Sequence, residues 1–154
     1  MGKYSVDAKD HTTDTALLTA LAITAAAGEE AEIVELVMSG SGSSAAADTQ
    51  HSARGAKSTN AGAGTSTGAT AQKFNEASAA ATMATTILYT VQPSVIDTVH
   101  EVLFGFNQRG GMRWAVPQGE GIKVRGDETK LSYVWEVISS AAGKVDANAH
   151  WWEP

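Results

Sequence analysis

The sequence predicts an all-β fold, an antiparallel jelly-roll-like sandwich built as one domain over residues 1–154. Two observations predict it. Several segments alternate apolar and polar residues with the two-residue period of a strand. Turn signals rich in Gly, Pro, Asn and Asp separate these segments at short intervals, giving about eight short strands and at most one or two helices. The length of 154 residues suits one compact domain.

In chain order, Tyr4–Val6 reads as a short strand and residues 10–14 as a polar turn, with Asp14 placed to cap a following helix. Residues 16–27 are ambiguous. Leu17, Leu18, Leu21 and Ala25 share a helical face, yet Thr19 and Thr24 weaken a helix and a strand fits nearly as well. Gly28 breaks the pattern. Residues 31–38 alternate, with Glu32, Val34, Leu36 and Met38 on one face and Ile33, Glu35 and Val37 on the other.

Residues 39–72 stand apart, because 27 of these 34 residues are Ala, Gly, Ser or Thr and none is a large apolar residue. Alone, such a segment cannot bury enough apolar surface to offset the entropy of ordering it. It reads either as a long mobile loop or as an extended Gly/Ser/Ala-rich arm that orders against neighbouring subunits. Within it, residues 51–57, including Arg54, could still form a thin strand.

Beyond Phe74 the apolar signal returns. Residues 77–81 fit one helical turn, and residues 85–91 a strand ended before Pro93. Residues 95–106 alternate throughout, with Val102, Phe104 and Phe106 on the core side and His100 in phase with them. Gly110-Gly111 marks a hairpin turn. Residues 112–116, 122–125, 131–138 and 145–152 complete the strands, the last ending in Trp151-Trp152.

Composition excludes several classes of function. There is no cysteine, hence no disulfide, thiol nucleophile or Cys-based metal site. No run of 18 apolar residues suggests a membrane span. A net charge of −6 with 11 Lys and Arg argues against a dedicated nucleic-acid binder. The apolar stretch at 16–27 follows Asp7, Asp10 and Asp14, unlike the positive start of an export signal.

Catalytic patterns are weak. His11, His51, His100 and His150 are too dispersed for a His-x-His or His-x₃-His metal pair, so neither metal nor cofactor is expected. Gly64-Thr65-Ser66-Thr67-Gly68 matches a nucleophile elbow on paper, but no buried strand precedes it and no helix follows. The acidic groups 29–35 and 127–128 read as solvated edges or turns. A non-enzymatic protein is the expectation.

The stretch Asn107-Gln108-Arg109-Gly110-Gly111-Met112-Arg113-Trp114-Ala115-Val116-Pro117-Gln118-Gly119-Glu120 resembles a pattern in small virion structural proteins of tailed bacteriophages. Those proteins have an Asn-Gln-Arg turn, an Arg-Trp strand and a Pro-x-Gly-Glu turn. The run from Arg54 through Gly64-Thr65 to Phe74 is similar to their Arg-rich strand and Gly-Thr loop. The likeness spans about residues 50–125. It implies a jelly-roll-like fold and a decoration (cement) role on the virion. It also implies a major capsid protein as partner, self-association as a homo-oligomer, most simply a trimer, and assembly in the host cytoplasm. No nucleic acid or membrane partner is expected.

A cement protein needs aromatic anchors and backbone-rich arms more than catalytic groups. Trp151 and Trp152 are the leading interface candidates, because neighbours on a strand face opposite ways and one must meet solvent or a partner. Arg54, Arg113 and Trp114 complete the candidate set, with Arg113 expected to pair a carboxylate and Trp114 to pack in the core. The competing expectation is a phage tail or fibre part, or a carbohydrate-binding module using exposed Trp. A cupin-like enzyme would want clustered histidines, and a pilus-like subunit an export signal.

Overall fold

The computed structural model describes residues 1–42, 48–60 and 65–154. Among them the chain forms thirteen strands: β1 (Gly2–Thr13), β2 (Leu18–Thr24), β3 (Glu30–Gly40), β4 (Gln50–Asn60), β5 (Thr67–Ala69), β6 (Gln72–Lys73), β7 (Ala84–Ile87), β8 (Ser94–Ile96), β9 (Val102–Asn107), β10 (Gly111–Ala115), β11 (Ile122–Arg125), β12 (Ser132–Ser139) and β13 (Gly143–Glu153). That is more than the eight or so the turn spacing suggests, and eight of them have five residues or more.

All pairings are antiparallel, and the strands form two sheets packed face to face. Sheet A runs β10-β3-β13-β1-β6, with β11 also on β3. Sheet B runs β5-β7-β2-β12-β4-β8, with β9 also on β4. The eight long strands thus order as β10-β3-β13-β1 in one sheet and β2-β12-β4-β9 in the other. Between the sheets lie Leu21, Ile23, Ile33, Leu36, Met38, Tyr133, Trp135, Val137 and Trp151, none of them exposed.

Three bulges set which residues reach this core. The expected alternation of 31–38 puts Ile33 opposite in phase to Leu36 and Met38, yet all three are buried. His150 pairs with Glu35 and Trp151 with Ile33, so Val34 is an extra residue that reverses the phase. Ala20 plays the same part in β2, between the pairs Glu136–Thr19 and Trp135–Leu21. In β1 the shift lies between Ala8 and His11, where Asp10 adopts a left-handed φ of 58°. Asp10 N–H donates to Asp146 Oδ1 at 2.8 Å across the bulge. The polar stretch expected as a turn is therefore mostly strand, because the bulge absorbs its irregularity.

Other expectations are corrected. The ambiguous stretch at 16–27 contains a strand: β2 buries Ala20, Leu21, Ala22 and Ile23 alike, whereas an amphipathic helix would bury one stripe. Ala22, Ala56, Val134 and Tyr89 form a second small core on the outer side of sheet B, with Ile96 against it. Residues 75–78 make a turn and no helix, and no helix follows Asp14. The single strand expected over 95–106 is broken at residues 97–101 into β8 and β9, so His100 lies in the break.

The extended arm also needs correcting. Its central part is β4, an interior strand of sheet B between β12 and the β8/β9 side. Its small residues fit large neighbours. Tyr133 Oη lies 1.9 Å from where a Cβ on Gly55 would stand, and Trp135 pairs with Gly55 in register. Ala53 and Ala56 are fully buried. The apolar area missing from 39–72 is supplied by β12, eighty residues away. Residues 43–47 and 61–64 of the expected arm lie outside the described residues, as does Gly64 of the elbow-like motif.

Candidate interaction surface

The outward face of sheet A carries a continuous polar and aromatic stripe. On β13 the strand period turns Trp151 inward and Trp152 outward: Trp151 is fully buried, and Trp152 is half-buried. Lys3 pairs with Trp152 across the β1–β13 ladder. Its ammonium lies 4.7 Å from the Phe74 ring centre and 6.0 Å from that of Trp152, within reach of a cation–π attraction. Phe74, just beyond β6, is held by its N–H donating to Lys3 O at 3.0 Å, and its ring meets His150 edge-on at 5.0 Å. Phe74 stays 55% exposed.

From His150 the stripe continues across β3 to β10. His150 Nδ1 lies 2.9 Å from Glu35 Oε2, and Arg113 Nε donates to Glu35 Oε1 at 2.5 Å. The hydrogen bond from Arg113, aided by His150 and opposed by burial, holds the Glu35 carboxyl below the usual carboxylate range. Lys3, Trp152, Phe74, His150, Glu35 and Arg113 therefore form one tied array, with cations at both ends and aromatic rings between.

One end of the stripe has a built rim. The carboxylate of Glu32 accepts N–H bonds from Gly119 (2.6 Å) and Gly121 (2.7 Å) and an ion pair from Lys123 (3.2 Å). Burial alone would raise its pKa, but these donors together lower it. They hold the 117–121 turn over the sheet, where Gly119 takes a φ of 100° that favours glycine. A shallow pocket of about 280 Å³ opens there, lined by Trp152, Glu30, Gln118, Lys123 and the chain ends Met1 and Pro154.

The structure does not bring the five residues singled out from sequence onto one face. Arg113 and Trp152 share the stripe, and Arg113 does pair a carboxylate. Trp114 points the other way, half-buried against the core. Trp151, expected at an interface, is corrected to a core residue: its ring stacks on Tyr4 at 5.9 Å and its indole N–H donates to Glu153 Oε1 at 2.8 Å. With no exposure, it has no surface to offer a partner. Arg54 lies on the outward side of sheet B, where its Nε donates to Glu136 Oε2 at 2.9 Å. Glu136 is fully buried and among the described residues its Oε1 has no hydrogen-bond partner; burial pushes its pKa up despite Arg54.

Sequence reasoning missed Lys3, Phe74, Glu35 and His150. Phe74 left a trace, a lone aromatic between Lys73 and Asn75. The Glu35–His150 contact spans 115 positions and leaves none. Among the described residues no group of three or more His, Asp or Glu is placed to hold a metal ion. Compared with known proteins, the chain matches no family model, no curated protein and no solved structure.

Proposed function

We propose that this protein is a non-enzymatic virion structural subunit. It decorates the outside of a capsid shell as a homo-oligomer, most simply a trimer, and seats the outward face of sheet A on the major capsid protein. The observation that carries this reading is the stripe itself. Trp152 and Phe74 provide apolar anchors, and Lys3, Arg113 and Glu35 surround them with charges already held in place. Such pre-ordered aromatic and Arg groups are what binding hot spots are made of. The resemblance of residues 107–120 supports the virion setting, and the strand order β10-β3-β13-β1 against β2-β12-β4-β9 supports a jelly roll as the finer description of the sandwich.

Co-sedimentation with shells of a major capsid protein from the genome that encodes this chain tests the proposal. The wild-type chain pellets with shells, whereas Trp152→Ala with Phe74→Ala stays in the supernatant while remaining folded. Equal pelleting of both would overturn the assignment of the face.

A second reading is favoured by the same two rings. A partly exposed Trp beside an exposed Phe, flanked by hydrogen-bonding groups, is also a platform for stacking a sugar. That would make the protein a carbohydrate-binding module or a tail or fibre part. A glycan array discriminates, because the decoration role predicts no glycan signal above background.

A further inference from the structure

On the stripe of sheet A the carboxylates are already engaged, whereas two of the cations keep open donors. Glu35 accepts from Arg113 on Oε1 and lies against His150 Nδ1 through Oε2. Glu32 takes the N–H groups of Gly119 and Gly121 on Oε1 and the Lys123 ammonium on Oε2. Glu30 is shared by Lys123 and Arg125. Asp7 and Asp146, further along β1 and β13, accept from Asn148 and from Asp10 N–H. Arg113 gives only Nε to Glu35, and its side chain is 65% exposed; among the described residues the rest of its guanidinium meets no acceptor. Lys3 is half-buried with its ammonium against the Phe74 and Trp152 rings, and among the described residues it pairs with no carboxylate.

We propose that this face recognises an acidic protein surface. One carboxylate of the partner seats on the Lys3 ammonium beside the two rings, and a second takes the open end of the Arg113 guanidinium. The inference rests on the docking reading of sheet A and names the chemistry of the partner.

The rings hold the Lys3 ammonium in place and exclude water from an arriving carboxylate, and an ion pair strengthens as water leaves. Glu35 fixes Arg113 through Nε, so the forked terminal N–H groups are presented for a bidentate carboxylate. The register sets the spacing of the two seats. Lys3 and Arg113 are three strand spacings apart across β1, β13, β3 and β10, about 14 Å, and four residues apart along the strands, about 13 Å. Their Cα atoms therefore lie about 20 Å apart, with Trp152, Phe74 and His150 in between. A basic surface would have to displace Arg113, His150 or Lys123 to reach a carboxylate of the stripe. The chain as a whole carries a net charge of −6, so an acidic partner is repelled by the molecule at large and attracted by this face, which fixes the orientation of docking.

Co-sedimentation with the same capsid shells tests the inference, read as the shell concentration that half-saturates binding. Lys3→Gln and Arg113→Gln are each expected to raise it about fivefold, and Lys3→Glu to raise it further. Lys3→Arg, which keeps the charge and still stacks on the rings, is expected to retain binding. Raising the salt about tenfold weakens the wild-type chain more than the Lys3→Gln, Arg113→Gln double variant. Arg109→Glu, in the exposed turn between β9 and β10, changes the net charge as much as Lys3→Glu without touching the stripe, and is expected to bind like the wild type. Circular dichroism of each variant separates lost binding from lost folding. Undiminished binding of Lys3→Glu, or an equal loss with Arg109→Glu, overturns the acidic-partner inference and leaves the docking face standing on its rings. No binding of the wild-type chain at any shell concentration overturns the docking reading and this inference with it.

Discussion

Two adjacent tryptophans give the fold its most discriminating test. Trp151→Ala removes a fully buried indole that stacks on Tyr4 and donates to Glu153. Truncating a buried aromatic costs about 3–5 kcal/mol. The lost charge-assisted hydrogen bond falls within that range, because Glu153 keeps the N–H groups of Thr82 and Met83 and the Thr82 hydroxyl as donors. Trp152→Ala removes a half-buried ring on the other face, whose described ring contact is the 6.0 Å approach of Lys3. It should cost about 1 kcal/mol or less. In urea unfolding, with a slope of about 2 kcal/mol/M, the midpoint should fall by about 2 M for Trp151→Ala and by about 0.5 M or less for Trp152→Ala. Trp151→Phe keeps a ring against Tyr4 but loses the N–H donor and part of the buried ring volume, so it should fall between them. Equal losses at 151 and 152, or a larger loss at 152, would refute the placement of the two rings on opposite faces of β13.

Burial also makes two titration predictions. His11 is buried, and burial lowers its pKa from 6.5 to about 4. As pH falls, the unfolded chain takes up this proton before the folded one, so stability is full above the ordinary histidine value and drains away between there and about 4. Unfolding free energy should fall by about 2 kcal/mol from about pH 7.5 to about pH 5, and His11→Leu should flatten that slope. On sheet B, Arg54→Ala leaves the buried Glu136 carboxylate without its guanidinium and should cost about 3 kcal/mol. A carboxyl with a raised folded pKa loses stability as pH rises past its unfolded value. The variant should therefore weaken further toward neutral pH, and adding Glu136→Leu should recover most of the loss in the same unfolding assay.

Much of the fold was legible because large residues mark their own positions. The alternation of residues 131–138 and 145–152 became β12 and β13 with shifts of one or two residues at their ends. The opposed orientation of Trp151 and Trp152 followed from strand period alone. Small residues hid the rest. Ala53, Gly55 and Ala56 look like an arm until Tyr133 and Trp135 are laid beside them, and that neighbourhood depends on topology rather than on local sequence. The phase reversals at Asp10, Ala20 and Val34 depend on the partner strand having one residue fewer, which no single strand can display. The stripe on sheet A was visible only in part, through Arg113 and Trp152. Its remainder, Lys3, Glu35, Phe74 and His150, comes from four separate segments and exists only once β1, β3, β6 and β13 are adjacent.

The virion role is tested most directly by mass spectrometry of purified virions from the genome that encodes this chain. Decoration predicts the chain in the particle at a copy number comparable to that of the major capsid protein. A copy number nearer that of tail proteins would move it to a tail or fibre, and absence from the particle would contradict the role altogether.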